Sequence, residues 1–150
     1  MNRLIDSTPA NITPSAVERE FTGITNALEA NIGIFSADPK NKSARALIVS
    51  PTGKSHVIDF TYDPEEKRLK SILRVSAQRA LPPAQTQTLL RLQNLTDGSW
   101  SVAFDDEDVL FKLRASAVIP NVRVAPVIIA SVVKDLTAVL KNEMFINLTN

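Results

Sequence analysis

An α+β domain built on an antiparallel sheet is what this sequence predicts, and three observations carry the prediction. Apolar residues recur at helical spacing in stretches that begin near Thr13, Leu81 and Pro126; they alternate with polar residues over strand-length runs in between; and the segments joining neighbouring runs are short. Short connections favour antiparallel neighbours, because a parallel crossover needs a dozen or more residues. The expected order along the chain is therefore helix, three strands, helix, two strands, helix (α-β-β-β-α-β-β-α).

Residues 1–12 have no apolar period and carry Pro9, so they are expected to form a loose arm ahead of a single domain over 13–150. Thr13-Pro14 supplies a cap and a first-turn proline, with Ser15-Ala16-Val17-Glu18 as an alternative capping box, and Val17, Phe21, Ile24 and Leu28 then form one stripe. Gly33 ends this helix. Gly23 lies inside it, where glycine costs about 1 kcal/mol relative to alanine, and this points to a neighbour packed close against the helix there.

Three strands are expected at 44–50, 56–62 and 68–77, after a loop over 37–43. Ser50-Pro51-Thr52-Gly53 matches a type I turn, and Asp63-Pro64-Glu65-Glu66 makes a second tight turn. Strand alternation puts Ala46, Ile48, Ile58, Phe60, Tyr62, Leu69, Leu73 and Val75 on one face. The other face carries Leu47, Val49, Val57 and Ile72 among Asp59, Lys70 and Arg74, so it is only half polar. A slip of one residue would exchange the two faces.

Leu81-Pro82-Pro83 opens a second helix that runs to about Leu95, with Leu89, Leu92 and Leu95 on one side and Leu90 offset, before Asp97-Gly98 turns the chain. Trp100, Val102 and Phe104, then Val109, Phe111 and Leu113, alternate as two strands of a hairpin with Asp105-Asp106-Glu107-Asp108 at its tip. From Pro126 to about Asn142 the spacing is helical again, with Ile129, Val132, Val133, Leu136, Val139 and Leu140 facing inward. This helix is apolar over more than one stripe, and its flanks are assigned to the domain itself; Leu90 and Trp100 are the residues assigned to a contact between two copies.

Composition limits the chemistry. With 150 residues the chain is long enough for one core that buries roughly 68–70% of the unfolded surface. The absence of cysteine removes disulfides, thiolate catalysis and thiolate metal sites. The first residues are too polar for a secretory leader and no uncharged apolar run is long enough to cross a bilayer, so a cytoplasmic protein is expected. Net charge is +1, from 17 Lys+Arg and 16 Asp+Glu, yet the signs are segregated. Lys67, Arg68, Lys70, Arg74 and Arg79 crowd one stretch, and Asp97 with Asp105 to Asp108 another.

No motif rises to a catalytic centre. Gly53-Lys54-Ser55 resembles the end of a phosphate-binding loop, but Ile48 stands where the first glycine belongs and a strand is expected where the motif needs a helix. The acidic tetrad lacks the alternate spacing and central glycine of a calcium loop. His56, the single histidine, has no nucleophile motif beside it. The basic third strand has no aromatic residue for base stacking, and aromatics make up only 5% of the chain.

The run from Trp100 to Leu113 with its acidic turn, followed by Arg114 to Pro120 and the helix to Leu140, resembles the acidic hairpin, apolar strand and terminal helix of the YbjN-like family and of type III secretion chaperones. The resemblance implies a small, commonly dimeric α+β domain that holds another polypeptide or its own copy, and it carries over no catalytic residue.

The function expected is accordingly a homodimeric, chaperone- or adaptor-like module that binds an extended polypeptide around Leu47, Val49, Val57 and Ile72, with no catalytic, cofactor or metal residue assigned. Two alternatives stand beside it. One is a small enzyme with a pocket around His56, Asp59 and Tyr62; the other is weak nucleic-acid contact through Lys67, Arg68, Lys70 and Arg74.

Overall fold

The computed structural model describes residues 14–76, 100–103 and 109–142. The N-terminal arm, the helix expected after Leu81 with its Leu90, and the acidic tip Asp105 to Asp108 lie outside the described residues.

The elements are α1 (Pro14–Asn31), β1 (Ser36–Asp38), β2 (Ser43–Val49), β3 (Ser55–Asp63), β4 (Arg68–Ser76), β5 (Trp100–Ala103), β6 (Val109–Val118), a 3-10 turn (Val122–Val124) and α2 (Ala125–Lys141). The strands form one six-stranded antiparallel sheet in the order β1-β2-β3-β4-β6-β5. The fold is thus α+β, with the strand sequence of the expected order but one strand more. Residues 36–38, which overlap the start of the loop expected over 37–43, pair with Ser43–Arg45 as a short edge strand. Their Ser-Ala-Asp composition has almost no β propensity, so pairing alone makes them a strand.

Alternation along β2, β3, β4 and β6 divides the sheet cleanly. Ala44, Ala46, Ile58, Phe60, Tyr62, Leu69, Leu73, Leu113 and Ala115 are buried on the face that receives the helices. From α1 come Phe21, Ile24, Ala27 and Leu28, and from α2 Ala125, Ile129, Val132, Leu136, Val139 and Leu140, all in the same core. Each fully buried Leu or Ile contributes roughly 1.5–3 kcal/mol relative to exposure, so this shared face dominates the stability of the fold. The helix spacings read from sequence place these stripes correctly, whereas Val127 in the first turn of α2 is 73% exposed.

Local signals set the helix and turn ends. Gly33, at φ +78, sends its N–H back to Leu28 O at 3.0 Å and so terminates α1 as glycine beyond a helix end commonly does. A Cβ built on Gly23 would overlap Val122 Cγ1, which accounts for a glycine in mid-helix: the 3-10 turn before α2 crosses α1 at that point. Ser50 O accepts the Gly53 N–H at 2.9 Å, the bond of the expected tight turn, and β3 rather than a helix follows it.

Two hairpins share one turn. Asp38-Pro39-Lys40-Asn41-Lys42 and Asp63-Pro64-Glu65-Glu66-Lys67 each begin with an aspartate whose Oδ1 accepts the N–H groups two and three residues on. Each ends on a lysine in the left-handed region, Lys42 at φ 51 and Lys67 at φ 55. The carbonyl of each of these lysines then accepts from the next strand over, Tyr62 N to Lys42 O at 2.9 Å and Ile119 N to Lys67 O at 2.7 Å.

Candidate binding face

The face of the sheet away from the helices is the candidate site, and no described element packs on it. Leu47 on β2 is the register partner of Val57 on β3, and the two lie beside Val49. Their exposures are 49%, 40% and 59% for Leu47, Val57 and Val49, so the corner they form is a contiguous aliphatic surface in water. Ile72, on β4 opposite Asp59, is half-buried among charged neighbours. The face assignments made from sequence for Leu47, Val49, Val57 and Ile72 therefore match the structure, which brings the first three together and leaves Ile72 apart from them.

Beside this corner the backbone of β2 is open. β1 pairs only with Ser43–Arg45, and Phe35 N bonds Arg45 O at 3.0 Å at its end. Alternate residues of an antiparallel strand direct their N–H and C=O to opposite neighbours. Arg45 O points to the β1 side, so the main-chain groups of Leu47 and Val49 also point there, past the end of β1. No described residue bonds them on that side.

The centre of the face is polar and charged. Asp59 is held between two guanidinium groups, accepting from Arg45 Nε at 2.8 Å on Oδ1 and from Arg74 Nη1 on Oδ2. Ile72, Thr61, Ser43, Ser36 and Asp38 are among the residues that line a shallow depression of about 580 Å³ around this triad. Register then adds cations that are remote in sequence: Arg74 faces Lys112 and Ile72 faces Arg114 on β6, while Lys70 faces Ser116. Arg68 Nη1 donates to Ser116 Oγ at 2.9 Å.

The residues grouped from sequence as an enzyme pocket do not meet. His56 and Tyr62 point into the helix-covered side and are buried, whereas Asp59 points to the opposite, open face, because odd and even positions of β3 are separated by the sheet itself. Burial, with the Lys54 charge behind it, pushes the His56 imidazole below its ordinary pKa, so it is neutral near pH 7. Tyr62 serves a structural clamp: its Oη donates to Glu20 Oε1 at 2.8 Å, and Lys67 Nζ donates to Glu20 Oε2 at 2.7 Å. Burial and the bond to Glu20 both raise the tyrosine pKa. For Glu20, burial works upward, but the bonds from Lys67 and Tyr62 and the lysine charge outweigh it and hold the carboxyl below its ordinary value. Lys67 thus belongs to this clamp between α1 and the sheet and not to a basic patch.

Trp100 requires a correction. Assigned from sequence to a contact between copies, it is instead 2% exposed in the core, with Nε1 donating to Val132 O at 2.8 Å in α2. An indole can be buried at low cost when its N–H finds a carbonyl, and here the carbonyl lies on the neighbouring helix. Leu90, the other residue so assigned, is outside the described residues.

Among the described residues no group of three or more His, Asp or Glu side chains could hold a metal ion, and no helix is long and apolar enough to cross a membrane. Comparison of the chain with protein-family models, with curated proteins and with solved structures finds no match.

Proposed function

We propose that the protein is a non-catalytic, chaperone- or adaptor-like binding module, homodimeric, that takes up an extended polypeptide at the open edge of β2 beside Leu47, Val49 and Val57. The observation that carries this reading is the coincidence of unpaired strand edge and aliphatic side chains at the same residues, Leu47 and Val49. Strand addition gains backbone hydrogen bonds from the edge and selectivity from the side chains that alternate along it. An exposed, partly apolar edge is also a liability for a protein that does not use it. Covering three half-exposed aliphatic side chains supplies on the order of 3 kcal/mol before the cost of ordering the partner.

Two substitutions test the site. Val49→Pro removes the N–H that points out of the sheet while leaving the β2–β3 ladder intact, since proline is tolerated on an edge with its nitrogen facing outward. Val57→Asp places a charge in the aliphatic corner. Both variants should keep the native circular dichroism and lose binding to synthetic extended peptides measured by fluorescence anisotropy. Undiminished peptide binding by both folded variants would remove this surface from the function. Light scattering of the purified protein tests the dimer.

A further inference from the structure

The identity of residues on the open face narrows the chemistry of what it holds, on the reading that the face binds polypeptide. We infer that the partner segment is acidic: aliphatic residues seated at the β2 corner, flanked by a run of Asp or Glu that crosses β4 and β6. One row across the sheet changes from apolar to cationic. Leu47 faces Val57, Arg74 is the next outward position beside Val57 by continuation of the Ile58–Leu73 register, and Arg74 faces Lys112. In the adjoining row Ile72 faces Arg114, beyond which stands Ser101 on β5, and Lys70 lies one outward position further along β4.

Charge balance separates this field from an ordinary solvated surface. The whole chain is nearly neutral, at +1, so cations concentrated on one face leave the remainder net acidic. Two carboxylates line the depression with the cations, and both are engaged: Asp59 carries both Arg45 and Arg74, and Asp38 accepts from the backbone N–H groups of Lys40 and Asn41 and from Asn41 Nδ2. Asp63 accepts from the backbone of its own turn. Neither Lys70 nor Arg114 has a carboxylate within bonding distance among the described residues. Outward side chains along a strand are about 6.8 Å apart and neighbouring strands about 4.8 Å, a spacing that carboxylates on an extended chain can match.

A nucleic acid would seek the same cations, but two features favour polypeptide. Single-stranded nucleic acid gains much of its affinity from bases stacked on aromatic rings, and the outward positions described on β2, β3, β4 and β6 carry none. The aliphatic corner continuous with the cations suits Val, Leu or Ile side chains.

The test uses the full chain and three fluorescent probes in low and near-physiological salt. One is a peptide with a Val/Leu core and Glu flanks, one has the same core with Gln flanks, and one is an oligothymidylate. The expected result is that the Glu-flanked peptide binds about tenfold more tightly than the Gln-flanked one at low salt, and that the advantage shrinks as salt is added. In a Lys70→Glu/Arg114→Glu variant that retains native circular dichroism, the advantage should disappear. Equal binding of the two peptides overturns the acidic partner while leaving the β2 site standing; failure of both peptides to bind overturns both readings. Tighter binding of oligothymidylate than of either peptide overturns the acidic polypeptide in favour of nucleic acid.

Discussion

Replacing Gly23 by alanine sets two effects of known sign against each other. In a helix interior the substitution should stabilise by about 1 kcal/mol, because alanine loses less backbone freedom on folding. Here the new Cβ would overlap Val122 Cγ1 and lie 3.3 Å from Val122 Cβ and 3.4 Å from Cγ2, so rotating the valine side chain gives no complete escape. Forcing a methyl into an occupied space costs typically 1–3 kcal/mol. The net expectation for Gly23→Ala is a loss of about 1 kcal/mol, read from urea unfolding followed by far-ultraviolet circular dichroism. In a Val122→Ala background the overlapping methyl is gone, and Gly23→Ala should become stabilising by up to about 1 kcal/mol. The sign should therefore reverse between backgrounds, with a coupling energy of about 2 kcal/mol. A gain in stability from Gly23→Ala in the wild-type protein, or a coupling near zero, would refute the packing of the 3-10 turn on α1.

Three further outcomes follow from the packing and the turns. Glu20→Gln should cost about 1 kcal/mol near neutral pH and flatten the acid limb of stability. The sign follows from the lowered pKa: the stabilisation is present above the ordinary Glu value of 4.5 and is lost as pH falls through the lower folded value, so urea titrations of wild type and variant should converge in acid. Trp100→Phe should cost about 2 kcal/mol, roughly half for the indole bond to Val132 O and half for the void left in the core, as measured by thermal or urea unfolding. Lys42→Gly should stabilise by about 0.5–1 kcal/mol, since glycine occupies φ 51 without strain, whereas Lys42→Val should destabilise; equal stability of the two would contradict the left-handed turn.

Much of this architecture is legible in the residues themselves, for physical reasons that differ by element. The stripes of α1 and α2 and the alternation in β2 and β3 are strong because one side of each element must be apolar, and they place Leu47, Val49, Val57 and Asp59 on the open face without coordinates. Gly23 pointed to a close neighbour, but only the structure shows that the neighbour is Val122. What the sequence hides is pairing between distant strands. That β6 inserts between β4 and β5, bringing Lys112 and Arg114 beside Arg74 and Ile72, depends on a register no local pattern encodes. β1 has no periodic signal in three residues. Trp100 misled because hydrophobicity alone does not say whether an indole seeks a core carbonyl or a second chain.

The repeated Asp-Pro-x-x-Lys corner has a consequence for how freely the sheet can be rebuilt. Both copies use the same first, second and last residues, and the lysine that closes the second copy is also the one that reaches Glu20. Transplanting residues 38–42 into positions 63–67 would therefore carry over the aspartate acceptor, the proline, the left-handed closing residue and the ammonium group in one move. The protein thus contains one joint in duplicate, and its two intermediate positions are where the copies differ: Asn41 donates to Asp38 Oδ2 in the first, whereas Glu66 pairs with Arg68 of β4 in the second.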